Sequence, residues 1–206
     1  MNWLLRNWDQ VLDALGQHVV ISLTSIGIAF VISLVVGVWA ARRESVFRAA
    51  IALTGILYTV PTLAFLALLI PIVGLGKTNA IICMVSFSLM IMIRNVAVGI
   101  RGVPSDVVDA GRGMGMTAFD ILTRIELPLA APVIVAGLRI ATVTVISVAV
   151  VAAYVNAGGL GTLIFNGISN DFAPKIWTGA LTACAFSIAA DLSLARVETW
   201  LRHRAD

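Results

Sequence analysis

Charge is the scarcest property of this 206-residue chain: Asp, Glu, Lys and Arg make up 12% of it, where a soluble domain carries about 25%. Hydrophobic side chains make up 60% and the mean hydropathy is +1.00, a composition that excludes a soluble domain and identifies an integral membrane protein. Histidine occurs only at His18 and His203, so no metal cluster can be drawn. No nucleophile constellation and no GxxxxGK[ST] phosphate loop is present either. The chain therefore lacks the means to hydrolyse ATP. Its two cysteines, Cys83 and Cys184, both fall inside apolar runs; they read as small core residues and say nothing of redox compartment. A dispersed net charge of +3 is too weak to recruit nucleic acid and is better explained by orientation in a membrane, which makes lipid the obligatory surround. No internal repeat stands out, which counts against an inverted-repeat secondary transporter in one chain.

What is present is a series of uncharged runs, predicting an all-α polytopic membrane protein. Residues 1–17 predict a short amphipathic segment on the outer surface, with Trp3 and Trp8 at an interface. The segment lacks the basic start of a signal peptide. Residues 19–41 then cross, since about 1.5 Å per residue spans a core of about 30 Å. Further spans are predicted at about 49–73, 78–100, 131–153 and 176–195, making one transmembrane domain over 1–206. Pro61 and Pro71 interrupt the second, so Tyr58 to Leu66 is expected to kink. Eleven of the fourteen basic residues then share one side, with Arg6, Lys77 and Lys175 on the other, predicting an outside N-terminus and a cytoplasmic C-terminus. Asp191, an acid inside a span, is expected to pair with Arg139 or Arg94.

One stretch breaks the pattern. Asp109 to Pro128 reads DAGRGMGMTAFDILTRIELP and carries Asp109, Arg112, Asp120, Arg124 and Glu126 between apolar flanks. With the lead-in from Pro104 it predicts two short helices meeting at a glycine corner over 104–128. Pro104 and Ser105 start the first, Gly113 and Gly115 turn the chain, and Thr117 and Asp120 form a capping-box-like start to the second. Pro128 is expected to stop that second helix.

At these residues the chain resembles the membrane permease subunits of ABC importers, whose cytoplasmic loop follows E-A-A, three residues, G, nine residues, I, one residue, L-P. Asp109, Ala110 and Gly111 occupy the first three places, Gly115 the glycine, Ile125 the isoleucine, and Leu127 and Pro128 the close. Asp for Glu and Gly for the second Ala are the departures. The resemblance implies the five-span core of the type I importer permease with a coupling elbow that docks in a groove on a separate ATPase. Asp106, Asp109, Arg112 and Arg124 suit the polar rim of such a contact. Met114, Met116, Phe119 and Leu122 suit its apolar centre, or else pack on the protein's own spans.

Thr59 to Gly76, Arg94 to Thr117 and Asn156 to Ile168 extend the likeness to permeases for the quaternary-ammonium osmoprotectants glycine betaine, carnitine and choline. Methionine or other amino-acid importer permeases are the alternative. The likeness implies a bacterial inner-membrane location, a second permease subunit, two ATPase subunits holding ATP and Mg, and an extracytoplasmic binding protein, with no cofactor in this chain. Quaternary ammonium groups are held by aromatic rings, and the high-affinity cage is expected on the binding protein. In the chain itself Tyr58, Thr62, Phe65 and Tyr154 are the pathway expectations, and Asn156, Gly158, Gly159 and Gly161 an outer gate or receptor contact. An ATP-independent transporter or channel would keep working without the elbow, and a non-transporting scaffold would show no coupled flux.

Overall fold

A computed structural model describes Trp3 and residues 6–205, and among these no strand forms. Among the described residues nine α-helices are bounded, in order: α1 (Trp8–Arg42), α2 (Glu44–Thr59), α3 (Thr62–Val73), α4 (Lys77–Arg101), α5 (Ser105–Gly113), α6 (Ala118–Ile121), α7 (Leu127–Ala152), α8 (Leu160–Ser169) and α9 (Ala173–Ala205). Four stretches are long and apolar enough to cross a membrane: Trp8–Arg42, Lys77–Arg101, Ala118–Val155 and Ala173–Arg204. The bent pair α2 and α3 makes a fifth if counted as one crossing.

The centre of the bundle is α4, which packs against α1, α2, α3 and α7. Lipid tails are as apolar as leucine, so helices in a membrane gain little by hiding apolar side chains and associate by close packing instead. Accordingly α1 buries a stripe of small residues, Ser22, Ser25, Ala29, Ser33, Gly37 and Ala40, at helical spacing. At Gly37 the approach to α4 is so close that a Cβ would stand 2.6 Å from the Cβ of Val96. Above this seam Ile21, Leu66, Met84, Phe87 and Val145 join α1, α3, α4 and α7 in one cluster.

Several expectations need correction. The predicted surface segment is not separate from Trp8 onward, because α1 runs unbroken through Gly16; residues 1, 2, 4 and 5 lie outside the described part. Val11 and Ala14 anchor that extension against Leu160, Leu163 and Ala183. The second uncharged run is broken rather than kinked: α2 and α3 meet at 99° across Val60 and Pro61. Both residues are extended (ψ 128° and 132°), and Pro61 has no N–H with which to continue the ladder. Pro128 does not stop its helix. A π turn, Leu122–Glu126, passes the Leu127 N–H to the Leu122 carbonyl, and the helix continues through Pro128 into α7 directly after that wider turn. The segment after Tyr154 holds a ten-residue helix, α8, packed on α9. Cys83 is buried as expected, whereas Cys184 is exposed in the single chain.

Candidate functional site: the polar elbow

The elbow is built by local chemistry. Helix α5 closes in a Schellman turn: the Met116 N–H donates to the Gly111 carbonyl at 3.1 Å and the Gly115 N–H to the Arg112 carbonyl at 2.9 Å. Gly115 holds φ at +80°, a conformation that costs any residue with a Cβ. Gly113 does not share this task, having no positive φ, so the corner depends on Gly115. Across the corner a Cβ on Gly111 would lie 2.7 Å from Cδ1 of Ile125 and 3.3 Å from Sδ of Met116. An alanine at this place would therefore require the ends of the Ile125 and Met116 side chains to move aside.

Thr117 starts α6 with a complete capping box. Its side chain accepts from the Asp120 N–H at 3.2 Å, while the Asp120 carboxylate accepts from the Thr117 N–H at 3.3 Å and from the Thr117 hydroxyl. That hydroxyl, then the Thr117 N–H and Arg124, hold the Asp120 carboxyl below the usual carboxylate range. The remaining elbow pairs, Arg112 to Asp109 at 2.8 Å and Arg124 to Asp120 at 3.5 Å, are largely exposed and leave their charges available to a partner.

Glu126 is different. It is 3% exposed, and its carboxylate accepts from both terminal nitrogens of Arg42, at 2.7 Å through Nη1. This bidentate pair fastens the π turn to the last residue of α1. Beside it Arg101 donates to the Ala40 and Ala41 carbonyls, pairs with Glu44 at 2.9 Å and covers the Phe47 ring. The elbow is thus tied to the end of α1 by Glu126, and Arg101 fastens the end of α4, which leads into the elbow, to the ends of α1 and α2. Neither Arg42 nor Glu126 was singled out from sequence, where both count only as charges at a span end. The available signal was the position of Glu126 between Ile125 and Leu127, one step from an apolar run.

The predicted coupling residues divide between the two faces of this frame. Gly111 is buried, and Met116, Ile125 and Leu127 are half-buried, forming the inner seam. Asp109, Ala110, Arg112, Gly115, Phe119 and Pro128 are exposed. Of the apolar centre expected for a partner, Met114 is 75% and Phe119 72% exposed, joined by Val107 at 40%, while Met116 and Leu122 turn inward. Behind Phe119 opens a cleft of about 480 Å³, also lined by Arg42, Arg112, Ile121 and Leu122.

The other predicted positions fall in two places. Tyr58, Thr62 and Phe65 come together at the α2/α3 break, with Phe87 of α4 between the aromatic rings. Tyr154 is apart from them, 70% exposed and edge-on to Phe165. Asn156, Gly158 and Gly159 form a turn with φ between +60° and +83°, and the Gly159 N–H donates to Oε1 of Gln17 at 3.1 Å. A Cβ on Gly161 would stand 2.0 Å from the Val150 carbonyl oxygen. That stretch is therefore packed against α1 and α7. Asp191 pairs with Arg139 as expected, at 2.9 and 3.0 Å, and the same guanidinium also reaches Glu198 at 2.8 Å. Among the described residues no His, Cys, Asp and Glu group could hold a metal.

The profile of the binding-protein-dependent transport system inner membrane components matches residues 33–204. A carnitine transport permease protein of Listeria monocytogenes is 34% identical over 99% of this chain and 90% of its own. A glycine betaine/carnitine/choline transport system permease protein of Bacillus subtilis is 35% identical over 96% and 91%, and a choline transport system permease protein of the same organism is 36% identical over 96% and 91%. Among solved structures, the MetNI methionine ABC transporter in an inward facing conformation matches with a TM-score of 0.84 at 21% identity, over 95% of this chain and 97% of that one. That likeness is one of fold, the type I importer permease.

Proposed function

Since the chain belongs to the family of binding-protein-dependent transport system inner membrane components, we propose that it is the membrane-spanning permease subunit of an ATP-driven importer for quaternary-ammonium osmoprotectants: glycine betaine, choline and carnitine. The cargo reading is supported by relatives named for these solutes that align over nearly the whole chain. The methionine alternative has less support, resting on a likeness of fold. Hydrolysis of ATP, with its Mg, belongs to two separate ATPase subunits; a second permease subunit completes the pathway and an extracytoplasmic binding protein delivers the solute. The chain sits in the bacterial inner membrane with its N-terminus outside and its elbow and C-terminus in the cytoplasm, as its basic residues favour.

In this reading α5 and α6 are the coupling element. The observation that carries it is the contrast within the elbow: an inner seam clamped by Gly111, Ile125 and the Glu126–Arg42 pair, and an outer face on which Met114 and Phe119 stand exposed. A rigid, tethered knob with apolar side chains at its tip can pass the movement of a docked partner to α1, α4 and α7 as rigid-body displacement. The test is ATPase activity of the assembled transporter with its binding protein, measured with glycine betaine, choline, carnitine and methionine. Stimulation by the first three and not by methionine is expected; stimulation by methionine alone would overturn the cargo reading.

A further inference from the structure

The break between α2 and α3 does more than turn the chain. It opens a recess of about 310 Å³ whose walls include Tyr58, Thr59, Pro61, Thr62, Phe87 and Thr144, and no charged side chain lines it. One wall is the C-terminal turn of α2, whose aligned peptide dipoles leave it partially negative, and the wall at Pro61 and Thr62 is the N-terminal end of α3, which is partially positive. Thr59 donates its hydroxyl to the Ile56 carbonyl at 2.7 Å and Thr144 its hydroxyl to the Ile140 carbonyl at 2.9 Å. With their protons spent, both oxygens are left as acceptors. Phe87 is 4% exposed, held edge-on by Tyr58, ring centroids 5.9 Å apart at 83°, and tilted against Phe65 at 5.7 Å and 45°. Tyr58 is 42% exposed at the mouth.

This lining selects by exclusion. An anion would find no cationic side chain, and beyond the first amides of α3 it would meet only the acceptor oxygens of Thr59 and Thr144. A small metal ion would find no carboxylate and too few oxygens to replace its water. A large, weakly hydrated cation that has no N–H to satisfy fits, because aromatic faces and acceptor oxygens attract it without demanding hydrogen bonds. We infer that the recess is a receiving site inside the permease for the trimethylammonium head of the solute, with Tyr58 as the ring at its mouth, Phe87 as the buried ring that backs it, and Thr59, Thr144 and the end of α2 as the negative surround. The inference rests on the osmoprotectant reading above for its cargo. The hydroxyls of Tyr58 and Thr62 are the donors left for the hydroxyl or carboxylate tail. Phe65 positions Phe87 and does not itself line the recess, and Tyr154 has no part in it.

Saturation-transfer NMR on the purified permease and ATPase complex, without binding protein, tests this with tetramethylammonium chloride as the probe. Transfer to the methyl protons is expected in the wild type and in Tyr58→Phe, with about a tenfold weaker affinity in Tyr58→Leu. Tyr154→Leu is expected to match the wild type. The neutral isostere 3,3-dimethylbutanol should compete with choline poorly. No transfer in the wild type, equal affinity in Tyr58→Leu, an equal loss in Tyr154→Leu, or equal competition by the isostere would each overturn the site. Binding of tetramethylammonium by a transporter that fails to import any of the three solutes would leave the site standing and remove the proposed cargo.

Discussion

Two of the corners at which the chain leaves regular α-helix are of opposite character, the Gly115 elbow and the Val60–Pro61 break. At the elbow the turn is made by specific hydrogen bonds, a Schellman closure and a capping box, and by one residue whose φ of +80° only glycine adopts freely. At the break it is made by the absence of bonds, two extended residues and a proline that cannot donate. The elbow is wet, charged and externally tethered; the break lies inside an apolar run and is held by what packs around it, Leu66 being fully buried and its carbonyl accepting from the Asn79 side chain at 3.2 Å. A corner built from bonds transmits force. A corner built from missing bonds leaves room.

The largest effect expected on this contrast comes from the tether. Arg42→Ala strands the Glu126 carboxylate in a buried site and should cost about 3 kcal/mol. Glu126→Ala should cost less, because Arg42 is half exposed and can turn to water. Thermal unfolding of the two purified variants checks the order, and the reverse order would mean that the pair does not hold the elbow. Next is Gly115→Ala. A Cβ there meets no atom within 4 Å, so its cost of about 1–2 kcal/mol is purely the backbone's. Hydrogen exchange should place that loss in residues 111–121 and leave the spans protected.

These are also the places where the amino-acid pattern was most and least informative. The elbow was legible because caps, turns and polar interruptions act locally: Thr117 and Asp120 find each other from adjacent turns, and the spacing from Asp109 to Pro128 survives folding unchanged. Arg139 and Asp191 were legible as isolated charges in apolar runs that must find a partner. Glu198 was missed because it lay past the predicted fifth span, whereas α9 continues to Ala205 and brings it to the same guanidinium. The break at Pro61 was expected only as a kink, since hydropathy measures length and composition and is blind to direction. Asn156, Gly158, Gly159 and Gly161 are expected from sequence as an outer gate or receptor contact; glycine announces unusual φ and close approach equally, and both occur here, the second against Gln17, His18 and Val150. The burial of Glu126 was invisible because its partner, Arg42, is distant in sequence.

Smaller effects sharpen the comparison further. Pro61→Ala should cost under about 1 kcal/mol, because φ −56° and ψ 132° suit alanine and the surrounding packing is untouched. Spin-label distances between α2 and α3 should stay the same; a straightened helix would show that proline alone makes the corner. The least effect is that of pH on the capping box. The folded Asp120 carboxyl lies below its unfolded value, so the contribution is full above the ordinary carboxylate value of about 3.9 and fades as pH falls through the depressed one. Exchange at the α6 amides should therefore be flat near neutrality, and the gap between wild type and Asp120→Asn should close only in strong acid.

The central claim is that the exposed tip of the elbow is where a separate ATPase takes hold. Co-purification of the ATPase with the double variant Met114→Asp, Phe119→Asp tests it most directly, since both side chains are exposed and their loss leaves the inner seam intact. The ATPase should be lost from a permease that still elutes as a folded membrane protein; a variant that retains its full complement of ATPase would contradict the account.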